Sequence, residues 1–164
     1  MTNWSLEDPT EGLVEKLYEN LNGKGDDLAK KMGFANELEA LKKALSSGWV
    51  VAIGLIENDP VCAICVIPSG LTDGEYSVIG GTGTVWLICT TAIKPHPRIL
   101  LEVGRAVMCA ISKRYDKVEA WMDENDATAM RYAKGVGLVG TDTTQNFDGI
   151  MLRRYNYDGT SNVD

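Results

Sequence analysis

Cys62-Ala63-Ile64-Cys65 is a pattern with chemical meaning, because a Cys-x-x-Cys pair serves zinc binding or thiol redox exchange. It lies within Pro-Val-Cys-Ala-Ile-Cys-Val-Ile, which reads as a buried strand. Residues three apart on a strand point to opposite faces, so the two sulfurs diverge. There is no second such pair, and His96 is the only histidine. Cys62, Cys65, Cys89 and Cys109 therefore read as ordinary core cysteines. Gly80-Gly81-Thr82-Gly83 is the strong glycine cluster. A phosphate cradle needs its glycines between a strand and a following helix; these precede a strand and read as a loop. Histidine can serve as a general acid or base, but His96, between Pro95 and Pro97, is placed to help cap a helix. Glu119 is a strand carboxylate that either faces a cleft as a general base or sits on the solvent side of the pleat. The second arrangement is the commoner one.

Positioning these groups falls to elements visible in the pattern. Residues 4–8 suggest a short first strand. Asp8-Pro9-Thr10-Glu11 reads as a helix start, with Asp8 as cap, Pro9 first in the helix and Glu11 at the positive end of the dipole. Leu13, Val14, Leu17, Tyr18 and Leu21 follow at helical spacing. Another helix is expected from the cap Asn36, with Glu39 three residues on, Leu38, Leu41 and Leu45 buried, and Gly48 ending it. Residues 26–34 hold a further helical turn. Residues 49–56 and 60–67 read as a hairpin joined through Glu57-Asn58-Asp59, and 69–83 as an exposed, mobile loop.

The second half begins with Val-Trp-Leu-Ile-Cys-Thr at 85–90, an apolar run expected of a central strand covered on both faces. Pro97 opens a helix whose buried stripe is Ile99, Leu100, Val103, Ala106, Val107, Ala110 and Ile111. Val118, Ala120 and Met122 alternate with Glu119 and Trp121, which predicts a strand. A helix over 126–136 closes on Gly137. Two strands, around 138–143 and 149–155, are joined through Asn146-Phe147-Asp148-Gly149. The fold class is α/β (α+β): a mixed central sheet of about six to seven strands with about four helices. One domain covers 1–155, and 156–164 is a polar, frayed tail.

The 164 residues carry a net charge of −7 and a pI of about 4.7. That surface repels phosphate backbones, so no nucleic-acid partner is expected. The basic pairs, Arg153-Arg154 among them, read as solvated faces. No apolar run approaches the ~20 residues that span a bilayer. The N-terminus lacks the pattern of a signal peptide, which predicts a cytoplasmic protein with no membrane contact.

Three local patterns narrow the fold. The strand containing Trp86 is followed by Thr90-Thr91-Ala92 and by His96-Pro97-Arg98 opening a long helix. That helix ends in Lys113-Arg114-Tyr115 before a strand reading Val-Glu-Ala-Trp-Met-Asp-Glu. The last helix reads Asp126-x-x-Ala129-x-Arg131 and closes on Gly137-Leu138, close to an Asn-x-x-Ala-x-Arg pattern ending in Gly-aromatic. With the element order β-α-α-β-β-β-α-β-α-β-β, the chain resembles the GNAT (Gcn5-related N-acetyltransferase) fold over nearly its whole length. Within it, the chain is similar to the GNAT-like internal virion or virion-assembly proteins of short-tailed bacteriophages.

The resemblance implies where coenzyme A would sit. Active members hold its pyrophosphate on a Gln/Arg-x-x-Gly-x-Gly/Ala turn at a helix N-terminus, where free backbone N–H groups meet the anion. The matching stretch, Ile93 to Ile99, has no glycine, and Pro95 and Pro97 each lack an N–H. Lys94, His96 and Arg98 remain as cofactor-binding candidates; the preferred reading is a structural helix start. The family's general acid is a tyrosine on the last helix. Counting from Asn125 places Tyr132 there, whereas counting back from Gly137 aligns Asp126, Ala129 and Arg131 with the pattern and places Ala133 there. The glycine-anchored register matches more positions and is preferred. Tyr132 and Glu119 are the candidate catalytic residues, and no metal site is expected.

Two functions follow from the resemblance. The first is a phage-type accessory protein, working by binding in virion assembly with a degenerate acetyl-CoA site and no cofactor. Its partners would be phage or host proteins, in the host cytoplasm or incorporated in the virion. The second is an active N-acetyltransferase using acetyl-CoA to modify an amine of a protein or small molecule.

Overall fold

The structure is a computed structural model, and it describes residues 2–69 and 81–158. The expected loop at 69–83 and the tail at 156–164 therefore lie largely outside the described residues. Among these residues the elements are β1 (Trp4–Glu7), α1 (Glu11–Leu21), α2 (Asp26–Lys31), α3 (Glu37–Ser46), β2 (Val50–Ile56), β3 (Asp59–Ser69), β4 (Thr82–Cys89), α4 (Pro97–Ser112), β5 (Lys117–Asp123), α5 (Ala127–Gly135), β6 (Leu138–Phe147) and β7 (Ile150–Tyr157). The seven strands follow the hydrogen-bonded order β1-β2-β3-β4-β5-β7-β6. The helix beyond the expected four is α2. Strand β7 runs to Tyr157, past the expected boundary at 155. The chain divides into two compact units: Met1–Val66 with Trp86–Pro97, and Ile67–Val85 with Arg98–Asp164.

In the first unit, β1, β2 and β3 are antiparallel neighbours. The β2–β3 hairpin turns at Glu57 and Asn58, with φ of 51° and 64°. Positive φ at both central residues matches the twist of the flanking strands. Helix α1 starts later than expected. Thr10 is extended and its hydroxyl accepts from the Leu13 N–H at 3.2 Å, so Thr10 is the cap and Asp8-Pro9 lie outside. The core joins Val14, Leu17 and Leu21 of α1, Leu41 of α3, and Val50, Ile53, Leu55, Ala63 and Cys65 of the strands. Cys65 faces this core. Cys62, on the opposite face, leans over Gly54, where a Cβ would lie 2.5 Å from its sulfur.

Helix α3 begins as predicted. The Asn36 side chain accepts from the Glu39 N–H at 2.9 Å, and Glu39 accepts from the Ala35 N–H at 2.6 Å. Asp26 ties three helices together, accepting from the Tyr18 hydroxyl at 3.2 Å and the Glu37 N–H at 2.9 Å. The Glu37 carboxylate sits where a Cβ on Gly25 would be, 1.9 Å from one oxygen. Burial, then the Asp26 charge, raises the Glu37 pKa, with Lys24 opposing. A first-turn carboxylate gains about 0.3–1 kcal/mol from the helix dipole. The net shift is upward, so burial and Asp26 outweigh Lys24.

In the second unit, β4 pairs in parallel with β5 (Thr82↔Lys117 to Thr84↔Glu119), β5 pairs antiparallel with β7, and β6–β7 form a hairpin through Asp148 and Gly149. Val118, Ala120 and Tyr155 are buried on one face. Helices α4 and α5 meet through two glycines. A Cβ on Gly104 would lie 2.3 Å from the Tyr132 hydroxyl oxygen, and one on Gly135 would lie 2.6 Å from Leu101. Arg105 Nε donates to the Gly135 carbonyl at 2.9 Å. Three expectations need correction. Ala106 and Ala110 are exposed, because α4 buries only a narrow stripe through Val103, Met108 and Ile111. Cys109 is exposed beside them. Strand β4 is only partly covered, with Trp86 exposed.

Asn36→Ala should cost about 1 kcal/mol of unfolding free energy in a denaturant titration, the usual worth of a cap; an unchanged midpoint would contradict the cap. Folded Glu37 holds its proton more tightly than unfolded Glu37. Its ionisation opposes folding, with no effect below the ordinary value of 4.5 and the full effect above the raised folded value. Glu37→Gln should therefore melt above the parent at about pH 7 and converge with it near pH 4. A gap that widens toward acid would refute this.

Candidate functional site

The link between β4 and α4 decides what can bind at the start of α4. Residues Thr91–Ile93 make a single 3₁₀ turn. The N–H of Ile93 donates to Thr90 at 3.4 Å, that of Lys94 to Thr91 at 3.1 Å and that of His96 to Ile93 at 2.9 Å. Pro95 and Pro97 have no N–H. Every backbone donor from 93 to 97 is therefore engaged within the link or missing. The groups left are the first-turn amides of α4 and the side chains of Lys94, His96 and Arg98. Lys94 and Arg98 are exposed and His96 half-buried.

Tyr132 lies on α5, and its hydroxyl donates to the Leu100 carbonyl at 3.2 Å. Leu100 sits in the first turns of α4, and Gly104 supplies the space over which the phenol reaches it. The hydroxyl thus fastens α5 to α4. Ala133, at the alternative position for an acid, is fully buried and carries no proton to give. The buried thiols are equally unsuited to nucleophilic work. Burial pushes Cys62 up to about 11, with a backbone hydrogen bond at Gly54 opposing, and pushes Cys65 and Cys89 up to about 12. Nucleophilic cysteines need a depressed value instead.

Glu119 is half-buried on β5, and one of its oxygens accepts from the Thr84 hydroxyl at 3.3 Å. It lines a cavity of about 520 Å³ in the second unit, together with Tyr115, Asp116, Arg154, Asn156 and Tyr157. Of the five side chains singled out from sequence, this cavity receives Glu119 alone. Tyr132 stands at the α4–α5 contact, and Lys94, His96 and Arg98 around the start of α4.

Sequence reasoning missed Arg154. As one of a basic pair it read as part of a solvated face, yet consecutive strand residues point to opposite sides. Arg153 is fully engaged, pairing with Glu124 and donating to the Thr141 carbonyl at 2.6 Å. Arg154 lines the cavity, and its Nε is shut off from solvent with no hydrogen-bond partner. A donor left in that state costs about 1–3 kcal/mol. The signal available in sequence was the doubled arginine on an alternating strand, which must send one guanidinium to each face.

No known protein-family profile matches this chain, and no curated protein sequence matches it. Solved structures do. The aminoglycoside acetyltransferase AAC(6')-Ib in complex with coenzyme A aligns over 97% of this chain and 96% of its own, with a TM-score of 0.67 and 15% identity. The microcin C7 self-immunity acetyltransferase MccE, bound to acetyl-CoA and AMP, aligns over 93% and 91%, with a TM-score of 0.63 and 9% identity. Salmonella typhimurium yncA with its cofactor acetyl-CoA aligns over 95% and 94%, with a TM-score of 0.64 and 9% identity. At such identities the likeness is one of fold, and it covers more than nine-tenths of the chain: this protein has the GNAT fold.

Proposed function

We propose that the chain binds acetyl-CoA and transfers its acetyl group to an amine. The supporting observation is the edge of β5 in the second unit, which beyond Glu119 is unpaired on its β4 side among the described residues. Its pairing with β4 covers three residues and ends at Thr84↔Glu119, whereas β5 continues to Asp123 paired with β7. A strand edge with open N–H and C=O groups accepts an extended amide chain by strand-like pairing, and the pantetheine arm is such a chain. That full-length structural neighbours were solved with coenzyme A or acetyl-CoA supports the same reading.

In the reaction the amine nitrogen attacks the thioester carbonyl. A C–N bond forms, the C–S bond breaks, and coenzyme A leaves as its thiolate. The amine sheds a proton, and in this reading the Glu119 carboxylate, which accepts from the Thr84 hydroxyl, takes it. With Tyr132 engaged by Leu100, no tyrosine of α5 returns a proton to the thiolate, so that proton comes from solvent.

A second reading has its own observation. The occupied Tyr132 hydroxyl and the engaged N–H groups of Ile93, Lys94 and His96 support a chain without turnover, as in the alternative of a phage accessory protein that binds phage or host proteins in virion assembly. Titration calorimetry with acetyl-CoA separates the two: micromolar affinity supports the transferase, and no heat at millimolar ligand refutes it in favour of the accessory protein. Glu119→Gln should lower kcat about 10²-fold or more, as loss of a general base does. Tyr132→Phe should cost about 1 kcal/mol of stability and leave kcat within a factor of a few. A large rate loss in Tyr132→Phe would instead make Tyr132 the acid.

A further inference from the structure

We propose that the cavity of the second unit binds a small amino-acid-like zwitterion, with Arg154 holding the carboxylate and Glu119 the ammonium, and that this molecule is the acceptor amine. The last clause rests on the acetyl-transfer reading; the binding does not.

The placement follows from strand register. Glu119 pairs with Asn156 and Trp121 with Arg154, so Glu119 and Arg154 are diagonal neighbours on one face of the β5–β7 ladder. Such neighbours have Cβ atoms within about 8 Å, a span long side chains readily bridge. Yet among the described residues they form no ion pair, and both line the same cavity of about 520 Å³. Arg153 shows that the chain does satisfy an arginine where a partner is meant to be internal, through Glu124 and Thr141. Arg154 is left with its Nε out of solvent and unpartnered. A guanidinium in that state presents a planar fork that fits a carboxylate bidentately.

The charges around the cavity select against simpler ligands. A ligand bearing only a negative charge meets Glu119 and Asp116. A simple amine meets Arg154 and Lys117. A molecule with both charges satisfies both sides, which is specificity by repulsion as well as attraction. Thr84 occupies one Glu119 oxygen and leaves the other for the ammonium. The rings of Tyr115 and Tyr157 line the cavity as well.

The test is a thermal-shift series on the full chain with each standard amino acid at about 10 mM, followed by calorimetry on the strongest binder. At least one should raise the melting temperature. Its methyl ester, which lacks the carboxylate, and its N-acetyl derivative, which lacks the ammonium, should each bind at least about tenfold more weakly. Arg154→Met keeps the aliphatic stem and should abolish binding, with partial rescue in Arg154→Lys. The inference is overturned if no amino acid shifts the melt, if the ester binds as tightly as the free acid, or if Arg154→Met binds like the parent. Should Arg154→Met fail to fold, the ester and N-acetyl comparison on the unaltered chain decides. These measurements need no acetyl-CoA. A chain that binds the amino acid but not acetyl-CoA would refute the transfer reading and leave this site standing.

Discussion

On a strand, successive side chains must point to opposite faces, and in the second unit that rule distributes structure and chemistry between two sides of the same backbone. Burying Val118 and Ala120 of β5 obliges Glu119 and Trp121 to the other face. Burying Tyr155 of β7 does the same for Arg154. The register Trp121↔Arg154 then brings a carboxylate and a guanidinium to one patch. A one-residue slip of β7 would send Arg154 into the core and Tyr155 into the cavity, so the site is as secure as the packing beneath it. The cost of leaving a desolvated guanidinium nitrogen unpartnered is carried by that packing.

The contact of α4 with α5 shows the opposite use of a polar group. Gly104 and Gly135 allow the two helices to approach until Tyr132 reaches the Leu100 carbonyl and Arg105 reaches the Gly135 carbonyl. A phenol committed in this way is a structural fastener. The same economy marks the link before α4, where a 3₁₀ turn and two prolines lead into the helix and the N–H groups of Ile93, Lys94 and His96 are engaged within the link. Both features stiffen the framework around α4.

The elements were legible where local chemistry is decisive. Asn36 with Glu39, Pro97, and Gly137 at φ 98° all punctuate helices in the sequence as they do in the structure. The hairpin at Glu57-Asn58 was equally visible. Boundaries shifted where two residues compete for one role, as Thr10 displaced Asp8 as the cap of α1. The outward turn of Ala106, Ala110 and Cys109 was not legible, because periodicity gives a stripe but not which flank the sheet covers. Arg154 was missed for a related reason. Charge in a sequence reads as solvated, and only pairing shows that Arg153 is satisfied while Arg154 is not.

Acetyl transfer to an amino acid is tested most directly by what the chain does with acetyl-CoA and an amino acid together. Product analysis by mass spectrometry, alongside release of free coenzyme A thiol, measures it in one experiment. The predicted result is an N-acetylated amino acid formed in step with the thiol. Thiol release no faster than uncatalysed hydrolysis, with the amino acid unmodified, would contradict it.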